Sequence, residues 1–192
     1  MRTVVIGGSF DPVHIGHLFL AEEARCELGY ERVIFIPSHK PPHKNLSNEA
    51  TAEQRLEMLR LACDEWGFAI VDDTEIRRGG VSYTVDTIPE ILRRHSISGN
   101  PGFILGDDLL SGFTTWKSHE LLPQMVDIII AHRLFESRLD VPFRHRYLDN
   151  LLLPVSSSNI RQRVREGRAF RHIVPDRVFH YIESNNLYGK RS

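Results

Sequence analysis

Short, continuous apolar runs at residues 3–6, 33–36, 68–71, 103–105 and 127–131 punctuate the chain, and amphipathic segments separate most of them. Runs of this length without alternation are how strands buried on both faces read. Residues 18–28 carry Leu18, Ala21 and Leu28 at helical spacing, with Gly29 as a stop. Residues 52–66 repeat the pattern with Leu56, Leu59, Cys63 and Trp66, and residues 84–94 start another helix. Strand, helix, strand at this spacing is a right-handed βαβ unit, so an open α/β fold with a parallel sheet is expected. Residues 132–150 are polar and without period, and read as a loop with short turns. A last short apolar run, 151–155, precedes a helix starting at Asn159 with Ser158 as its N-cap. A final helix over 174–187, opened by Pro175, turns Val178 and Ile182 inward, and Tyr181 lies beside them.

The stretch at 7–18, GGSFDPVHIGHL, joins the first strand to the first helix, the connection at which open α/β folds hold phosphates. Gly7 and Gly8 let backbone N–H groups approach an anion, and Pro12 stiffens the loop. His14 and His17 are three residues apart, on one face of a first helical turn and beside the positive end of its dipole. No Gly-Lys-Ser/Thr follows the glycines and G-x-G-x-x-G spacing is missing, so neither the Walker A loop nor the dinucleotide fingerprint applies. A metal site is disfavoured, because no cysteine or carboxylate cluster follows at ligand spacing.

Further along, residues 37–48 form a loop with three prolines, two histidines and two lysines, within reach of the first loop. SYTVDT at 82–87 opens a helix whose free N–H groups can hold a second anion, with Tyr83 offering an aromatic face. Gly106, Asp107 and Asp108 end the fourth run, and Trp116 follows nine residues after Asp107. SSSNIR at 156–161 brings a hydroxyl, free N–H groups and the Arg161 guanidinium together, which is a phosphate clamp in chemical terms.

Charge narrows the partners. Lys plus Arg (24) and Asp plus Glu (25) cancel to a formal net charge of −1, which argues against a nucleic-acid binder. The local cluster Arg161, Arg163, Arg165, Arg168 and Arg171, against Glu166, suits a small polyanion better than a duplex. Two cysteines make no disulfide framework, and Cys63 and Cys26 are both expected to be small buried hydrophobes. With no leader pattern and no membrane-spanning run, a cytoplasmic protein is expected, folded as one domain over 1–192 with a C-terminal helical segment at about 156–188.

Taken in order, GGSFDPVHIGHL, PPHK, SYTVDT, GDD with FTTW, and SSSNIR resemble the bacterial nicotinate mononucleotide adenylyltransferases, members of the H-x-G-H nucleotidyltransferase superfamily. The resemblance spans Val4 to Tyr188 and implies a Rossmann-like, doubly wound parallel sheet of the nucleotidyltransferase type. It implies that Gly7, Gly8, Ser9 and Phe10 bind ATP, that His14 and His17 bind its phosphates, and that Lys44, Ser158 and Arg161 hold the outer phosphates. Asp108 would contact nucleotide, and Tyr83, Thr84 and Trp116 would bind the nicotinate ring and its carboxylate. Ser9 and Ser158 stand where threonine is common in that family, and Asp107 adds an acid where a small or neutral residue is usual, a change expected to alter Mg²⁺ or substrate electrostatics.

The activity so implied joins the 5′-phosphate of nicotinate mononucleotide to the α-phosphorus of ATP and expels pyrophosphate, with Mg²⁺ accompanying ATP and no covalent enzyme intermediate. Pantetheine phosphate, glycerol phosphate and nicotinamide mononucleotide are the alternative acceptors, and a nucleotide sensor without turnover is the alternative class. Oligomeric state is not written in the sequence.

Overall fold

The computed structural model describes residues 1–42, 50–133, 138 and 140–189. Within them the chain runs β1 (Thr3–Gly8), α1 (Ile15–Leu28), β2 (Arg32–Pro37), α2 (Ala52–Cys63), β3 (Ala69–Val71), α3 (Thr74–Arg78), α4 (Thr84–Arg94) and β4 (Gly102–Gly106). A 3-10 stretch (Asp107–Thr115) leads to α5 (Leu122–Met125), β5 (Asp127–Ala131), β6 (His145–Leu148), α6 (Ser157–Arg165) and α7 (Asp176–Ser184). All six strands are parallel, in the order β3-β2-β1-β4-β5-β6. The chain moves outward from β1 to β3, then returns to β4 on the other side of β1. The crevice beyond the carboxyl ends of β1 and β4 is therefore the topological switch point, where such sheets bind ligands.

The apolar runs are continuous because both sheet faces are covered. Val4, Ile6, Val33, Phe35, Ile104 and Ile129 point to one core, packed by Leu18 and Ala21 of α1, Met58 and Leu59 of α2, Ile160 of α6 and Val178 and Ile182 of α7. Val5, Ile34, Ile36, Phe103, Leu105 and Ile128 point to the other, packed by Ile88 and Ile91 of α4, Leu110, Phe113 and Leu122. Helices on both faces make this the doubly wound arrangement expected from the sequence.

The 132–150 segment departs from expectation, since it contains the edge strand β6, paired with β5 from His145 to Leu148. Only Leu148 of its four residues is buried, so the strand has the polar surface of a half-solvated edge and no apolar run to betray it. The helix cap in SSSNIR is also two residues earlier than expected. Ser156 caps α6 by accepting from the Asn159 N–H at 3.2 Å, and Ser158 lies inside the helix. Cys63 is buried as expected and burial pushes its thiol up to about 12, whereas Cys26 is exposed on α1. Among the described residues no helix is long and apolar enough to cross a membrane.

Candidate active site

The loop from β1 to α1 occupies the switch point. β1 runs on through Gly7 and Gly8, whose register partners are Ile36 and Pro37 at the end of β2. Phe10 takes a left-handed backbone (φ 48°) and is buried, its ring edge-on to His17 at 4.9 Å and to Phe35 at 5.9 Å. The Asp11–Pro12 bond is cis. His14 is the N-cap of α1 in extended conformation, and its main-chain N–H donates to Nδ1 of His17 at 3.2 Å. That bond leaves the His17 proton on Nε2. The two imidazoles stack at 3.7 Å with planes 27° apart. A Cβ on Gly16 would stand 3.1 Å from the His14 ring, so glycine is what lets that ring lie over the helix start.

His14 is 2% exposed, and neither ring nitrogen has a hydrogen-bond partner among the described residues. Burial, reinforced by the nearby Arg133 charge, lowers its pKa to about 3. The imidazole is thus neutral at physiological pH, and His14 offers a proton and a lone pair. Buried polar nitrogens without partners are costly, and they mark a place built for a ligand. The pocket around them is walled by His17, Arg133, Asn150, Leu153 and Val155, so the apolar run 151–155 is a pocket wall and not a strand.

α6 closes the other side of the loop. Ser157 Oγ donates to the Pro12 carbonyl at 2.9 Å, and Arg161 Nη1 donates to the Asp11 carbonyl at 2.7 Å while Nη2 reaches Ser158 Oγ at 3.2 Å. Ser158 and Arg161 are therefore joined, as expected, and are brought against the histidine loop. Lys44 lies outside the described residues.

A second cavity, of about 190 Å³, opens on the opposite side of the same loop. Gly7, Gly8 and Ser9 form its floor with Phe103, and Tyr83, Thr84 and Trp116 line it, so these expected residues converge. Tyr83 is the N-cap of the 11-residue α4, whose first-turn N–H groups begin at Thr84. Trp116 packs on Phe113 with ring centroids 5.6 Å apart. The 38–42 loop completes the wall and is pinned there: His39 N–H donates to Ser82 Oγ at 3.0 Å, and Ser82 N–H donates to the Lys40 carbonyl at 2.9 Å.

The two aspartates after β4 behave differently from one another. Asp108 pairs with the Arg133 guanidinium at 3.0 Å, beside the histidine pocket. Asp107 is buried, accepts the Arg133 N–H at 3.0 Å and stands 3.9 Å from His132 Nδ1. It ties the end of β4 to the end of β5.

Several supporting residues were missed in the sequence. Arg55 is 1% exposed, and its guanidinium donates to the Ser9 carbonyl at 2.6 Å and the His39 carbonyl at 3.0 Å, joining two walls of the cavity. Its position on the stripe 55, 58, 59, 62 of α2 was the available signal, since a charge on an apolar face is held there for a reason. Glu75 also lines the cavity. Burial raises its pKa against the opposing effect of the Thr87 hydroxyl, which donates to it at 2.6 Å. Arg133 and Lys117 carried no motif at all.

The cytidylyltransferase-like family model matches residues 5–163. A probable nicotinate-nucleotide adenylyltransferase of Borrelia garinii is 40% identical over 100% of this chain and 96% of its own length. One of the same name from Moorella thermoacetica is 38% identical over 99% of this chain and 93% of its own. Among solved structures, the Plasmodium falciparum nicotinic acid mononucleotide adenylyltransferase complexed with NaAD superposes with a TM-score of 0.77 at 18% identity, covering 98% of each chain, which speaks for the fold. Full-length similarity above the level at which families diverge, on the same fold and with the paired histidines in the switch-point loop, leaves one conclusion: the chain belongs to the cytidylyltransferase-like family and, within it, to the nicotinate-nucleotide adenylyltransferases.

Proposed function

We propose that this protein transfers the adenylyl group of ATP to nicotinate mononucleotide, giving nicotinate adenine dinucleotide and pyrophosphate in NAD biosynthesis. The observation that carries the reading is the stacked pair His14 and His17 at the start of α1, with unpartnered His14 nitrogens facing a pocket at the switch point. Relatives that bear the adenylyltransferase name supply the substrates.

The acceptor phosphate has a second pKa near about 6, so at neutral pH it is mostly dianionic and already nucleophilic. One of its oxygens bonds to the α-phosphorus as the bond from that phosphorus to the leaving pyrophosphate breaks, with no base and no protein nucleophile. The protein's work is alignment and stabilisation of charge on the transferring group. His14 and His17 donate hydrogen bonds to it from the helix start, and the positive charge comes from Arg161, with Ser158, on the outer phosphates. Gly7, Gly8, Ser9 and Phe10 shape the loop under the nucleotide, and Lys44 is assigned to the triphosphate. Asp108, held by Arg133, is assigned to the nucleotide. Tyr83, Thr84 and Trp116 take the pyridine ring and its substituent.

Mg²⁺ is proposed to arrive with ATP. The described residues offer it no cage: no three His, Cys, Asp or Glu side chains converge, and Asp107 and Asp108 are both engaged by Arg133. A cation that binds one or two carboxylates plus substrate phosphates suits such a site. The proposed compartment is the cytoplasm, where ATP is available.

The test is pyrophosphate release from ATP and Mg²⁺ with nicotinate and nicotinamide mononucleotides offered separately. Release with the nicotinate form supports the assignment. ATP binding without release from either acceptor would replace it with the sensor reading.

A further inference from the structure

The β1–β2 ladder ends where the Ser38 N–H donates to the Gly8 carbonyl at 2.9 Å. Past that bond the two chains part, one into the loop assigned to ATP and the other into the 38–42 wall of the ring cavity. Arg55 of α2 reaches between them and takes the next carbonyl of each: Nη1 donates to Ser9 at 2.6 Å and Nη2 to His39 at 3.0 Å. One guanidinium thus adds a rung that the diverging chains do not make for themselves. Because a peptide is planar, the bond to the Ser9 carbonyl also fixes the direction of the Phe10 N–H. From His39 the tie runs on toward the start of α4. The His39 N–H donates to Ser82 Oγ at 3.0 Å, its Nδ1 donates to the Gly80 carbonyl at 2.9 Å, and Lys40 pairs with Val81 in a parallel bridge. Arg55 is 1% exposed, on the helix face that also buries Met58, Leu59 and Ala62. A buried charge is a poor source of stability, and an apolar side chain of similar volume often serves as well. What a planar fork supplies there is two donors held in a fixed relation.

We propose that Arg55 is a positioning residue that couples the two substrate sites, so that ATP at the Ser9 loop and mononucleotide against the 38–42 wall each raise the other's affinity. The inference rests on the proposed function, and deepens it. Whichever nucleotide arrives first steadies one loop of the pair, and the fork steadies the other. The cost of ordering that second loop is then already met when the second nucleotide binds. Linkage makes the effect reciprocal, with one factor for both ligands. A transfer that needs both phosphates aligned at the same moment gains from such a tie, since neither loop is set without the other.

Calorimetric Kd values for nicotinate mononucleotide are measured with and without saturating α,β-methylene ATP and Mg²⁺, and then in the reverse order, for the wild type, Arg55→Met, Arg55→Lys and Met58→Ala. The wild type is expected to show the same coupling factor from both directions, about fivefold or more. Arg55→Met is expected to abolish it. Arg55→Lys keeps the charge without the fork and is expected to fold and to lose most of the factor, which keeps the test decisive should Arg55→Met unfold. Met58→Ala leaves a cavity on the same helix face, bonds to neither carbonyl, and is expected to lower the melting temperature with the factor intact. No coupling in the wild type, an unchanged factor in Arg55→Lys, or the same loss in Met58→Ala overturns the proposal. Coupling that depends on Arg55 in a protein that releases no pyrophosphate would instead overturn the proposed function and leave the role of Arg55 standing.

Discussion

The Tyr188 hydroxyl donates to Asp11 Oδ1 at 2.7 Å, joining residues 177 apart in the chain. The same carboxylate oxygen accepts the Ala50 N–H at 3.3 Å, and the Asp11 carbonyl holds Arg161. The histidine loop is thus fastened from the C-terminal end of the chain, from α6 and from the chain entering α2.

Tyr188→Phe removes that donor while keeping the ring. Both partners are buried, so the loss in stability is expected to be about 1–3 kcal/mol by urea denaturation, because the carboxylate loses a bond that water does not replace. Burial, with Asp11 beside it, drives the Tyr188 pKa far above the usual tyrosine range. The folded state then keeps a proton that the unfolded state releases above its own pKa of about 10. Stability carried by Tyr188 is complete below that pH and lost as pH rises beyond it. Alkaline unfolding should therefore be less steep in Tyr188→Phe, and an identical alkaline limb in both proteins would refute the assignment.

His17→Ala is expected to fold normally and to lose about 10²- to 10³-fold in kcat, the cost of deleting one preorganised donor to a charged transition state. A thermal melt within a few degrees of wild type, alongside the kinetic loss, separates this from unfolding. Full activity in the variant would remove His17 from the reacting group.

The His14 shift gives an acid-side prediction of opposite sign to that for Tyr188. Its folded pKa of about 3 lies below the ordinary value of 6.5, so between those values the unfolded chain binds a proton that the folded one refuses. Stability from the neutral His14 is present above pH 6.5 and is lost as pH falls toward 3. His14→Gln should flatten stability against pH across that window, as measured by denaturant midpoints. The kcat profile, by contrast, should carry no break near 6.5 from this residue.

How much was legible follows from what each feature depends on. β5 was readable because three successive isoleucines are buried on both faces, and α4 because its apolar spacing and its basic last turn agree. β6 was not, since an edge strand needs only one buried side chain and Leu148 supplies it. The residues proposed to bind phosphate or ring lie in motifs and were named at once. Arg55 holds the backbone of the first motif and Tyr188 the side chain of its Asp11, and a bond between residues 11 and 188 has no spacing to read. The neutrality of His14 was equally hidden, because burial and the charge of Arg133 are properties of the assembled pocket.

Gly16→Ala sets two effects of known size against each other. Alanine in a helix is favoured over glycine by about 0.5–1 kcal/mol, and Gly16 is the second residue of α1. The added Cβ, however, would stand 3.1 Å from Cε1 and Nδ1 of His14, tighter than ordinary contact. That ring cannot swing away freely, since it is buried and stacked on His17. It must shift by a few tenths of an ångström, close to the tolerance of about 0.5 Å within which catalytic groups function. Stability should consequently change by less than about 1 kcal/mol in either direction, while kcat falls about tenfold or more. Measuring the melt and kcat on the same preparation decides it: a variant as active as wild type would mean that the position of the His14 ring does not govern the reaction.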